Sequence, residues 1–500
     1  MIVYLLVALF VIGFCLTIVY SFKKRLEAVR RTAAMVLFLG LVVVSGWLVS
    51  YANRLWVDAL LFVNLYQLFN IYRLGFSRVR IDYLQNIGRK TAIRLIELQL
   101  LIVLAGSLLS ESAYLYRIRW TVTAAVALAV SLILLMSTWR QTRMTKRIKQ
   151  NTALLDSQAP TLSVAIPARN ESDSLYNCLE SLIACDYPKL EILVLDDNSS
   201  SRRVPEIVKS FAHNGVEFIA GQPIRSGWLA KNWAYEQLLN AANGELILFC
   251  GADTRFTPES LRFLVSALLS RKKTMISVLP KNYIASGILP PLVQPLRYMW
   301  EISLPRRAFK RPPVLSTCWL STAAFLRQSG GFAAISNRVV CESYFARLAV
   351  KSDGYSFLLY DGVQSEKTYP DQIETAVRLR YPQLHRQPEL VALLSIIELI
   401  LLLGTLPMAV AGLLTHNLWL VVLAVAAFGV YGINFGLVSR VTYRLYSPGS
   451  IISWPVAVGL DLYLMHLSMW RYEFGKVLWK GRSVAPPVMH QKDTKIDAPV

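Results

Sequence analysis

Seven apolar runs, each near the roughly 20 residues a helix needs to cross a bilayer, limit what this chain can fold into. They lie at 2–20, 33–51, 95–116, 120–138, 389–414, 417–437 and 451–470, and a long polar insert separates the fourth from the fifth. With 54% hydrophobic residues, the chain is too apolar for a soluble protein of 500 residues and reads as a multi-pass membrane protein. The stretch 55–70 holds Asp58, Asn64 and Gln67, so it reads either as another span or as an interfacial helix. If it spans, three basic segments (23–31, the loop from Arg73 to Arg94, and 140–149) share one face of the membrane, as the positive-inside rule requires. We therefore expect five N-terminal spans, a cytoplasmic insert and three C-terminal spans, with the tail outside unless the last span is re-entrant. The first apolar run has its charges after it and no small-residue cleavage signal, which predicts an anchor that is retained.

The net charge of +21 is compatible with a polyanionic partner, but basic loops facing an anionic leaflet account for it in so apolar a chain. No nucleic-acid partner is expected. Six cysteines (Cys15, Cys178, Cys185, Cys250, Cys318 and Cys341) show no paired spacing, which points away from a zinc site or a disulfide framework. Asp58, Glu97, Glu398 and Asp461 fall inside apolar runs, where acids are candidate functional groups, and the sequence offers none of them a partner.

The insert alternates strand and helix patterns in the manner of a mostly parallel α/β sheet. "TLSVAIPARNE", "LEILVLDDNSS", "GVEFIA" and "ELILFCGADT" read as four strands. Helical spacing of Leu175, Leu179 and Leu182 marks a helix after the first, and "NWAYEQLLNAANG" reads as a helix closed by Gly244. "PESLRFLVSALLSR" reads as another, with Pro258 in its first turn. Ligands of such open sheets sit outside the carboxyl ends of the strands, where Asp196, Asp197 and Asp253 fall. The expected organisation is a membrane region 1–138, a basic linker 139–159, an α/β domain 160–388, a second membrane region 389–470 and a basic, polar tail 471–500.

"SVAIPARNE", "ILVLDDNSS", "GWLAKNWA", "LFCGADTRFTPESL", "SGGF" and "CESYFARLAVKSDGYSFLLYDG" occur in the order and approximate spacing of family 2 glycosyltransferases with the GT-A fold. The chain most resembles the membrane-embedded subgroup that glycosylates lipids, including hopene-associated and carotenoid glycosyltransferases. The resemblance covers about 160–388, the C-terminal spans and the closing "VLWKGR" at 477–482. It implies a Rossmann-like GT-A domain between membrane helices, a nucleotide-sugar donor, a lipid acceptor, and an inner-membrane location with the domain in the cytoplasm.

Residue by residue, the resemblance makes Asp196 and Asp197 the donor-binding pair, and Pro167 and Arg169 the turn that cradles the base. Lys231 is then a donor-region cation near phosphate. Each also has a plain reading, the acids as a solvated Asx turn and Lys231 as a solvated side chain. Asp253 stands at the last acid of the family's Asp-x-Asp, implying Mg2+ or Mn2+, while Gly251 replaces the first acid. One carboxylate suffices in principle, because diphosphate oxygens and water complete the shell of such a cation. In inverting members a Glu-Asp pair supplies the general base, and here that pair is Glu342-Ser343, leaving Glu342 as the candidate base or a helix N-terminal acid. Gln383 and Arg386 resemble the Gln-x-x-Arg-Trp element that closes over both substrates, with Gln387 at the Trp position; the same segment also reads as a basic interfacial helix. The substitutions at Gly251 and Ser343 leave open a domain that binds nucleotide sugar or a partner enzyme without catalysis. A processive polysaccharide synthase is the third reading.

Overall fold

The computed structural model describes residues 63–67, 91, 93–102, 104, 113–149, 154–282, 292–303, 312–443 and 449–485. The spans expected at 2–20 and 33–51, and much of those at 55–70 and 95–116, lie outside these residues.

Strands β1 (Leu162–Ala168), β2 (Leu190–Asp196), β3 (Val216–Ala220) and β4 (Leu246–Cys250) run parallel. With β5 (Thr254–Phe256), β6 (Met275–Asn282), β7 (Cys318–Thr322) and β8 (Tyr355–Ser365) they form one sheet of order β3-β2-β1-β4-β7-β6-β8-β5. The first four are the four strands expected, and β4 is buried along its whole length, as a central strand covered on both faces should be. β7 then pairs antiparallel to β4 and β6 antiparallel to β7, turning the parallel block into a mixed sheet. Because the chain goes outward from β1 to β3 and then returns to β4, the connections diverge between β1 and β4 and leave a crevice at the carboxyl ends.

Helix α1 (Ala113–Lys149) enters the domain, and α2 (Asp173–Ile183), α3 (Arg203–Ser210) and α4 (Ala230–Ala241) join the parallel strands. Leu175, Cys178, Leu179 and Leu182 of α2 are all buried, as their spacing predicts. Gly244 does not close α4, whose cap is Ala242; a Cβ on Gly244 would lie 2.6 Å from the Ser163 backbone nitrogen, so close approach to β1 requires the glycine. Helices α5 (Ser260–Ser270), α6 (Gln294–Ser303), α7 (Ala323–Gln328) and α8 (Glu342–Lys351) lie among the later strands. Pro258 precedes α5 rather than sitting in its first turn.

After the sheet come α9 (Tyr369–Gln383), α10 (Pro388–Ile397), α11 (Thr405–Leu414), α12 (Leu418–Thr442) and α13 (Ser450–Phe474). Among the described residues, three helical stretches are long and apolar enough to cross a membrane: 118–143, 418–442 and 451–474. The pair 388–403 and 405–414 makes a fourth if its 45° bend is one broken span. Outward side chains such as Leu414 (77% exposed) and Trp419 (72%) would face lipid rather than water.

The α/β domain shares a core with these helices. Leu134 of α1, Leu279 of β6, Phe357 of β8, Tyr431 and Phe435 of α12 and Trp454 of α13 form one buried cluster. The basic segment expected to be a linker is, through Lys149, the end of α1, and its Gln141 Nε2 donates to Phe357 O over 2.9 Å. A helix docked on the sheet by both apolar packing and a buried hydrogen bond fixes the orientation of the domain on the apolar bundle.

The last helix has an unusual path. Tyr443, just past α12, bridges to Asn282 of β6 and donates its hydroxyl to Gln372 of α9. Yet Ile451, at the start of α13, packs against Gly432 near the middle of α12, and α13 is followed by a hairpin, β9 (Val477–Trp479) and β10 (Arg482–Ala485), that returns to the domain. The chain is thus on the domain's side both before and after α13. Fluorescent and phosphatase reporters fused near residue 215 and after Val500 should therefore report the same face of the membrane. Opposite faces would contradict this path.

Candidate active site

The carboxyl ends of β1 and β2 are stitched together by Asp197 N, which donates to Ala168 O over 2.8 Å. Asp196 Oδ1 accepts from Ser199 N at 3.1 Å, so this acid closes an Asx turn. Asp197 is different. It is buried, and both its carboxylate oxygens accept from Arg482 Nη1 at 2.8 Å. Burial raises its pKa above the ordinary carboxylate value, against the pull of Arg482 and Arg169. Arg169 leaves β1 to donate through Nη1 to the carbonyls of Asp197 and Asn198, both at 2.6 Å. Its own pKa is pulled down, first by burial and then by the neighbouring Arg482 charge. Pro167 is half-buried within β1, so it shapes the same edge.

At the end of β4, Asp253 is partly exposed, and its Oδ2 lies 3.5 Å from Lys367 Nζ. A Cβ added at Gly251 would meet Asp253 Oδ1 at 2.5 Å, so a second acid there requires the Asp253 side chain to turn away. Among the described residues no group of three or more His, Cys, Asp or Glu gathers as a metal cage. One accessible carboxylate does suit a Mg2+ or Mn2+ ion that draws its other ligands from substrate phosphates and water.

A second centre joins α4 to α8. Lys231, in the first turn of α4, pairs with Glu342, the first residue of α8, and Glu342 is 1% exposed. Burial lowers the pKa of Lys231, but the Glu342 charge and its hydrogen bond outweigh that, and the net shift is upward. Lys231 also lies 5.2 Å from the centre of the Tyr235 ring. Glu342 Oε2 is buried without a hydrogen-bond partner. Ser343 turns elsewhere, donating to Val340 O at 2.9 Å and accepting from Arg347 at 3.2 Å. Asn232, inside the quoted "GWLAKNWA", went unnoticed in the sequence; its Nδ2 donates to the carbonyls of Ile335, Ser336 and Arg338, pinning the loop that leads to Glu342.

Gln383 ends α9 and is buried, while Arg386 follows in a tight turn at φ 56° and packs over the Tyr472 ring, 4.0 Å from Glu473. These two residues thus sit at the end of α13, beside the root of the β9–β10 hairpin. The hairpin reaches from there to the donor-side edge: Lys480 pairs with Glu171 at 2.6 Å and Arg482 with Asp197. Sequence reading singled out neither Lys480 nor Arg482, although the quoted "VLWKGR" contains both. Gly481 after the apolar Val477, Leu478 and Trp479 is the one local turn signal there.

Residues 163–329 match the glycosyl transferase family 2 model. Among curated proteins, the probable glycosyltransferase YdaM of Bacillus subtilis (strain 168) is 33% identical over 122 residues, covering 23% of this chain and 28% of that protein. Glycosyltransferase AglE of Haloferax volcanii is 30% identical over 103 residues, 20% of this chain and 32% of its own. The matches thus span under a third of the length of these relatives. A solved structure, the mannosyltransferase PcManGT from Pyrobaculum calidifontis in complex with GDP-Man and Mn2+, overlaps 70% of this chain and 100% of that one, at 17% identity and a TM-score of 0.42. The strand edge bearing Arg169, Asp197 and Asp253, together with Lys231 of α4, thus lies within the residues that match the glycosyl transferase family 2 model, while Glu342, Gln383 and Arg386 lie beyond them.

Proposed function

We propose that this chain is an inverting glycosyltransferase that moves a sugar from a nucleotide-diphosphate sugar to a lipid hydroxyl at the cytoplasmic leaflet of the cell's inner membrane. The observation that carries this reading is the core shared by the family 2 domain and the apolar helices, which supports a crevice held at a membrane surface. Asp197 reads the base or ribose, with Pro167, Arg169 and the Asx turn at Asp196 shaping the pocket around it. Asp253 would hold a divalent cation, which when bound would supply positive charge for the donor diphosphate. Lys231 fixes the Glu342 carboxylate through one oxygen, and Oε2, buried and without a partner, accepts the proton of the attacking hydroxyl once the loop before Glu342 rotates to open it to the acceptor. Gln383 and Arg386 close the acceptor side next to α13. The rival reading, a nucleotide-sugar-binding domain without chemistry, draws on Ser343, whose hydroxyl is committed to Val340 and Arg347.

Donor binding tests the assignment of the strand edge. Asp197→Ala should weaken nucleotide-sugar binding by roughly ten-fold or more, the scale of one charge-assisted hydrogen bond. Asp253→Ala should remove only the part of the affinity that a chelator also removes. Calorimetry with and without chelator checks both. Binding by the native protein that ignores the chelator would take Asp253 out of the site.

A further inference from the structure

The hairpin after α13 is held at three points. Val477 at its root is buried with Tyr381, Leu384, Met469 and Tyr472. At its tip, Lys480 and Gly481 both adopt positive φ (49° and 79°), as a two-residue primed turn between Trp479 and Arg482 requires. That turn places Lys480 against Glu171, its carbonyl 3.3 Å from Arg169 Nε, and Arg482 against Asp197. The side chains of Arg482 and Asp197 are 19% and 6% exposed, so this ion pair is largely shielded from water.

We infer that Arg482 is a positioning residue of the donor site: the C-terminal hairpin brings it across the crevice to hold and aim the Asp197 carboxylate that reads the nucleoside. This inference rests on the donor-site reading of Asp197. Its physical basis is that a buried acid favours its neutral form unless a cation or hydrogen-bond donors compensate. A protonated Asp197 would present a donor where one of its acceptor oxygens stood. The charged groups facing it are Arg482 from the hairpin, Arg169 from the exit of β1 and Asp196 from its own strand. Arg169 spends its Nη1 on backbone carbonyls, so Arg482 is the cation that touches the carboxylate itself. A consequence is that donor recognition depends on a segment carried by the end of α13, next to Gln383 and Arg386.

The test is binding of UDP and of GDP to the full chain in lipid, followed from neutral pH downward into the acid range. In Arg482→Ala the affinity near neutral pH should fall about ten-fold or more, and the pH at which binding is lost as the solution is acidified should move upward. Arg482→Gln, which keeps hydrogen-bond donors and removes the charge, should show the same displacement even if alanine loosens the hairpin. Arg482→Lys should restore most of the native profile. Lys480→Ala loosens the same hairpin without touching Asp197 and should leave the pH midpoint in place. A midpoint moved equally by Lys480→Ala, or a native profile in Arg482→Ala and Arg482→Gln, would overturn the inference while leaving the donor site intact. Failure of the native protein to bind either nucleotide at any pH would instead bring down the donor-site reading and this inference with it.

Discussion

Arg380→Ala is expected to destabilise the protein severely. Arg380 of α9 pairs with Asp461 of α13 and lies 3.8 Å from Glu398, and all three side chains are at most 5% exposed. Removing the cation leaves two acids buried together, and breaking a buried pair from one side costs about 3–5 kcal/mol. That is a large fraction of the stability of an ordinary domain. Thermal unfolding in detergent should show it directly. Replacing all three by apolar residues of similar size, Arg380→Met with Glu398→Leu and Asp461→Leu, should recover most of the loss, because hydrophobic groups of equal volume replace buried ion pairs well. An Arg380→Ala protein as stable as the native one would mean that this cluster does not fasten α9 to α13.

Glu342→Gln should lower turnover by a factor on the order of 10²–10⁴, the usual contribution of a positioned general base. Glutamine keeps the size and an acceptor for Lys231 but cannot take a proton at neutral pH. Nucleotide binding should persist, which separates lost chemistry from lost folding. Ser343→Asp, one residue on, should return part of the turnover if its carboxylate reaches the acceptor. Full activity in Glu342→Gln would remove Glu342 from proton transfer.

What the sequence made legible follows from which forces are local. β1 to β4 and α2 were readable because burial on both faces of a strand, or along one stripe of a helix, writes itself into residue spacing. Strands β5 to β8, in a mixed parallel and antiparallel arrangement, were not, because their pairing joins segments far apart in the chain, as Phe249 pairs with Trp319. The same limit applied to the charges. Glu398 and Asp461 looked unpartnered in the apolar runs, and their partner Arg380 lies in a stretch that reads as a basic interfacial helix. Asp197 was legible as a strand-end acid, whereas Arg482 reaches it only because α13 returns to the domain's side. Gly244 was misread as a helix stop because a glycine demanded by close packing and one demanded by a cap look alike in sequence.

The most direct measurement is release of nucleoside diphosphate by the purified chain in lipid vesicles, supplied with membrane lipid extract, a series of nucleotide sugars and either Mg2+ or Mn2+. An inverting glycosyltransferase should release product from a particular nucleotide sugar, attach the sugar to extractable lipid, and lose both outcomes in Asp253→Ala and Glu342→Gln. Nucleotide-sugar binding with no release from any donor, in a protein that gains turnover only when Gly251→Asp and Ser343→Asp are combined, would contradict the account and identify a glycosyltransferase scaffold without chemistry.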